Sequence, residues 1–136
     1  MQRAGYAAAA LILPLGLVFF RACAASRLDI IQVGPWFPQK NWKEVVLFAS
    51  REDIKLPWGG IAIIHGPRTY VNDVRGMEKQ RFSARKMAAK AGADGLIIAM
   101  EPIDSGLRMG VYEEPEVCLS ALAVKYAADV STVSQK

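Results

Sequence analysis

Apolar positions fall in short blocks whose period changes along the chain. Leu28, Ile30, Ile31 and Val33 predict a short edge strand over residues 28–33, broken by Gly34-Pro35-Trp36-Phe37-Pro38. Residues 44–50 alternate, with Val45, Leu47 and Ala49 on one face and Val46 and Phe48 on the other, and so predict a strand. A polar connector over 51–57 leads to Trp58-Gly59-Gly60. The unbroken apolar run Ile61-Ala62-Ile63-Ile64 then predicts a strand covered on both faces, with His65 at its end and Gly66-Pro67 as its stop.

Between 77 and 91 the period lengthens to that of a helix. Met77, Ala84, Met87, Ala88 and Ala91 share the core face, and Lys79, Lys86 and Lys90 lie opposite. Phe82 and Ala89, seven residues apart, form a second stripe off the core face. Gly92 suits a left-handed C-terminal cap, and Lys90 in the last turn suits the helix dipole. Residues 94–100 are apolar on both sides and predict another strand. Gly106 and Gly110 flank a hairpin tip, 117–127 predict a long final strand, and 129–136 read as a frayed polar tail. The expected fold class is α+β with two layers, strand-strand-helix-strand-strand, one helix packed on a small sheet. The domain is expected over 44–128. The preceding 24–43 segment is expected to fold back on it, because Trp36, Phe37 and Trp42 are too apolar for a solvated linker.

The first 23 residues follow a different pattern. Arg3 precedes an apolar run of 15 residues, Tyr6 to Phe20, followed by Arg21-Ala22-Cys23. Pro14 and Gly16 interrupt the run, and a membrane-spanning helix needs about 20 apolar residues. An export signal over 1–23 is therefore preferred to a retained anchor. Cleavage before Cys23 would leave a diacylated N-terminal cysteine, as in bacterial lipoproteins, although Phe20 and Arg21 depart from the usual cleavage box. Cleavage after Ala24, at the small-x-small site Ala22-Cys23-Ala24, would release a soluble protein. The lipoprotein reading is preferred, with Cys23 as the lipid attachment site.

The 22 residues before Cys23 leave 114 of the 136, enough for one domain with one core. The formal charge of +4 drops to +2 once Arg3 and Arg21 are removed, which gives no electrostatic case for nucleic acid. Cys118 is left without a disulfide partner under either cleavage, and its apolar run predicts a buried, inert thiol. Carboxylates at Asp73, Glu101, Asp104, Glu113, Glu114 and Glu116 read as solvated loops, with Asp73 near a helix start. Ser83 and Ser120 have no local triad partner, and Gly59-Gly60 lacks the lysine of a phosphate loop. Trp58 reads as a core plug. No enzyme chemistry and no cofactor are expected.

Val45-Val46-Leu47, Pro57-Trp58-Gly59-Gly60-Ile61, Gly66 and especially Ala88-Ala89-Lys90-Ala91-Gly92-Ala93-Asp94-Gly95-Leu96-Ile97 resemble the small bacterial YbjQ-like family, often labelled heavy-metal-binding. The general fold is also similar to that of the Rcs stress-sensing outer-membrane lipoprotein. The resemblance covers residues 44–126 and implies a compact envelope domain that self-associates; it implies no catalytic residues. The metal label finds no support in the residues. His65 is the sole histidine and lies 53 positions from Cys118, whereas soft-metal sites need several thiolate or imidazole ligands at defined spacing.

The expected function is that of an envelope lipoprotein facing the periplasm, held to the membrane by its N-terminal lipid and binding an envelope protein or itself as a homo-oligomer. Phe82 and Ala89 are the expected partner surface, and the lysine face could meet anionic headgroups. The alternative is a soluble periplasmic or secreted protein that binds a small molecule or metal ion.

Overall fold

The computed structural model describes residues 27–103 and 114–131. The export segment with Cys23, the expected turn at Gly106 and Gly110, Asp104, Glu113 and residues 132–136 lie outside the described residues.

Five strands form one mixed sheet in the order β1-β3-β5-β4-β2. In chain order they are β1 (Asp29–Gln32), β2 (Val46–Phe48), β3 (Trp58–Tyr70), β4 (Gly95–Ile103) and β5 (Glu116–Tyr126). Helix α1 (Val74–Lys90) joins β3 to β4, and a short helix α2 (Ala127–Ser131) follows β5. Among the described strands only the β2–β4 pair is parallel. The architecture is α+β, with a single main helix across one face of the sheet.

α1 begins three residues before the expected position because the Asp73 carboxylate caps it, accepting from the Gly76 N–H at 2.9 Å. It ends as expected at Gly92, whose φ is +78°. The Gly92 N–H donates to Ala89 O and the Ala93 N–H to Ala88 O, each at 3.0 Å, which is the Schellman arrangement. Ala84, Ala88 and Ala91 meet Ala62, Ala121 and Ala123 of the sheet within one buried cluster. Small side chains on both layers let the helix settle close to the strands. Ile64, Leu96, Leu119, Val45 and Val124 are the largest fully buried side chains. Each contributes on the order of 2 kcal/mol by leaving water.

Two strands differ from expectation. β3 does not stop at Gly66-Pro67 but runs on to Tyr70, because a bulge between His65 and Arg68 absorbs the proline. Gly66 is a point of close approach. A Cβ there would lie 2.5 Å from Gln80 Oε1 and 2.9 Å from Leu119 Cβ. β2 is only three residues long, trimmed by 3-10 turns on both sides. Asn41 caps the first turn at the Lys43 N–H, and Asp53 accepts from the Ser50 N–H beside the second. The expected polar tail begins as helix α2.

The 24–43 segment contributes β1 and then a packed arm. The Phe37 N–H donates to Ala91 O at 3.1 Å and the Lys40 N–H to Ala89 O at 3.0 Å, so the arm lies along the end of α1.

Candidate functional site

The turn from α1 to β4 carries a buried ionic cluster. Asp94 and Lys125 are only 5% and 6% exposed. The Asp94 carboxylate accepts from Lys40 Nζ, from Lys125 Nζ at 3.0 Å and from the Tyr126 N–H at 2.8 Å. Lys125 Nζ also donates to Gly92 O at 3.2 Å and sits 5.2 Å from the Phe37 ring centroid. Burial alone would push the Asp94 carboxyl up, but hydrogen bonds from Lys40, Tyr126 and Lys125, with the lysine charge, hold it below its ordinary value. Burial likewise pulls Lys40 down, yet its bond to Asp94 and the carboxylate charge raise it overall. The Asp94 carboxylate is satisfied by three donors inside the fold. The cluster joins arm, helix end and β5, and is structural.

A second group lies on the surface above it. Trp42 and Phe82 meet edge to face with centroids 5.0 Å apart, Lys86 Nζ lies 4.4 Å over the Phe82 ring, and Arg85 lies 5.3 Å over Trp42. Arg85 also donates to Val45 O at 2.8 Å and Lys43 O at 3.0 Å. Beside them a depression of about 580 Å³ is lined by Gln39, Lys40, Asn41, Trp42, Lys86, Ala89 and Lys90. It carries three lysines and no carboxylate.

This arrangement changes the expected Phe82–Ala89 stripe. Phe82 is 42% exposed, but its ring is engaged by Trp42 and Lys86. Ala89 is 3% exposed, part of the core cluster and covered by the arm, so it is not available as a contact residue. The helical wheel placed it off the core because it cannot show that a second layer of chain crosses there.

The third feature is the sheet face opposite α1. Register places Ile31 beside Ile63, Ile63 beside Leu122, Leu122 beside Ile97, and Ile97 beside Phe48. The helix-facing residues alternate with these, since Ala62, Ala123 and Leu96 are all buried. One apolar row therefore crosses all five strands, and no described helix lies over it. The glycines shape it. A Cβ on Gly95 would meet Phe48 Cε2 at 2.6 Å, and one on Gly60 would meet Leu122 Cδ1 at 3.1 Å. Phe48 and Leu122 thus pack close against the backbone at Gly95 and Gly60. Ile31 at the edge of the row is 52% exposed and Val46 beside it 47%, while Ile63, Leu122, Ile97 and Phe48 between them are half-buried.

His65 is exposed in the middle of β3 rather than at its end. Cys118 is half-buried on the open face, in register with Arg68 and Glu101, not buried in the core as expected. Among the described residues no three His, Cys, Asp or Glu side chains gather as a metal-binding group, and no described helix is long and apolar enough to cross a membrane. Trp58 is half-buried, beside Tyr126.

No protein-family model and no curated protein matches the chain. Among solved structures it is similar to FvfA, a Francisella virulence factor, whose crystal structure in the orthorhombic form superposes with a TM-score of 0.50. The match covers 72% of this chain and 96% of that one at 16% identity, and at that identity the likeness is one of fold alone.

Proposed function

We propose that the protein is a bacterial envelope lipoprotein, anchored through Cys23, whose domain works by docking its bare sheet face on a second copy of itself. The observation that carries the reading is the mostly half-buried apolar row Ile31–Ile63–Leu122–Ile97–Phe48, on the sheet face opposite α1. Five strands about 4.8 Å apart present a face about 20 Å wide. Two such faces stack about 10 Å apart, and a twofold axis lets one patch meet itself. The row carries no charge that would oppose an identical row.

Sedimentation velocity of the mature protein in mild detergent tests it. Wild-type chains are expected to dimerise in the micromolar range. Ile31→Glu and Val46→Glu, at exposed positions that tolerate charge in the monomer, should shift the species to monomer with an unchanged melting temperature. Wild-type protein that stays monomeric, or variants that dimerise equally well, would overturn the proposal.

The lysine-lined depression favours a second reading, an anionic small molecule held beside Trp42. On that reading inorganic phosphate or a sugar phosphate should raise the melting temperature, and Lys86→Gln with Lys90→Gln should abolish the rise. No shift with any anion would dismiss it.

A further inference from the structure

The end of the domain where β3 turns into α1 exposes three apolar side chains in five residues. Tyr70 is 50% exposed, Val71 46% and Val74 64%. They project from a rigid base. The Asp73 N–H donates to Tyr70 O at 3.0 Å, the Val71 N–H donates to Pro115 O at 3.1 Å, and the Asp73 carboxylate caps the helix. A turn so firmly held has no folding need for valines in water.

Charges of both signs surround it. Asp73 accepts from Gly76 and Thr69, Glu114 from Asn72 at 2.8 Å, Glu78 from Arg81 at 3.1 Å, and Glu116 lies 3.7 Å from Arg68. Arg27, Arg75 and Lys79 form no ion pair among the described residues, and neither do Asp29, Asp73, Glu101 and Glu114, so charges of both signs ring the apolar turn. An exposed tyrosine and two valines on a rigid turn match the interfacial layer of a bilayer, where an amphipathic ring and short apolar side chains sit at headgroup level.

Chain geometry selects this occupant. β1 runs antiparallel to β3 with Asp29 opposite His65, so the chain approaches β1 from the Tyr70 end. Leu28 lines a depression with Arg68, Thr69, Asp73 and Lys79 at the start of α1. From Cys23 to Asp29 the chain reaches at most about 20 Å. The sheet extends beyond Asp29 toward Tyr70 by four residues of β5, Ser120 to Glu116, or about 14 Å. A lipid on Cys23 therefore has little slack, and it draws this end of the domain onto the headgroups.

We infer that Tyr70, Val71 and Val74 form a second membrane contact, seated in the interface of the bilayer that holds the Cys23 lipid. The inference rests on the lipoprotein reading. It also sets the domain upright, with the sheet face to the side, so that two anchored copies can meet about a twofold axis normal to the membrane.

The test uses full-length protein processed in a Gram-negative host and reconstituted in vesicles containing phosphatidylglycerol. With Cys118→Ser in place, a spin label is attached at Val74→Cys or, at the other end of β3, at Leu56→Cys, which replaces a 57% exposed side chain. The ratio of collisions with oxygen to collisions with a water-soluble nickel reagent is expected to be several-fold higher at position 74 than at 56. Equal ratios in a protein whose mass shows acylated Cys23 would overturn the second contact and leave the lipoprotein reading intact. A mass starting at Ala25 would overturn both.

Discussion

Asp94→Ala is expected to be the most damaging single change in the molecule, lowering stability by about 3–5 kcal/mol and the melting temperature by more than about 10 °C. The loss arises from what remains. Lys125 is 6% exposed and would keep its ammonium buried against Gly92 O and the Phe37 ring with its counter-charge gone. The Tyr126 N–H and Lys40 Nζ would lose their acceptor as well. Urea unfolding measures the difference.

The pH dependence has a definite sign. The folded Asp94 carboxyl lies below its ordinary value of 3.8, so the unfolded chain takes up the proton first as pH falls. Its contribution is present in full above about pH 4 and fades below it. Folded Lys40 lies above its ordinary 10.5, so its contribution holds below that value and fades as pH rises through the folded value. Wild-type stability should therefore drop on acidification below about pH 4, and Asp94→Ala should show a shallower drop over the same window. Parallel curves for the two proteins would place the acid sensitivity elsewhere.

Gly92→Ala is expected to cost about 3 kcal/mol. A φ of +78° disfavours any L side chain, by about 1–2 kcal/mol. The rest comes from the arm. A Cβ at position 92 would lie 2.6 Å from Phe37 Cβ and 2.7 Å from its carbonyl carbon and oxygen, so the arm must lift. Lifting it weakens the bonds from Phe37 to Ala91 and from Lys40 to Ala89, and loosens Lys40 from Asp94. Gly59→Ala is the control: nothing lies within 4 Å of its Cβ position, and the change should stay within about 0.5 kcal/mol. Similar losses at both positions would contradict the assignment of the cost to the left-handed backbone and the arm, since removing glycine's unfolded-state entropy by itself stabilises.

Local chemistry made the helix legible in sequence. Its 3.6-residue period and the capping Gly92 depend only on neighbours, and both lie where expected. The bulge at Gly66-Pro67 was not legible, because the same dipeptide ends a strand or bends one according to what packs above it, here Gln80. The Asp94 cluster joins residues 54 and 31 positions apart, a separation with no periodic signature. Its only local trace was an aspartate directly after the capped turn. The sheet face opposite α1 differs from expectation, because the run 61–64 predicts a strand covered on both faces and among the described residues a long helix covers only one. Ile61-Ala62-Ile63-Ile64 and Leu96-Ile97-Ile98 are apolar on both faces, yet the pattern offers only one long helix to cover them. A sheet with two apolar faces and one covering helix is short of a partner.

The most direct measurement is the intact mass of the photo-crosslinked product, from cells carrying a photoreactive residue at position 31 of the full chain. The account predicts a species of twice the chain mass, each half beginning at Cys23 and bearing acyl chains. A product of single-chain mass, a heterologous adduct, or halves beginning at Ala25 would contradict it.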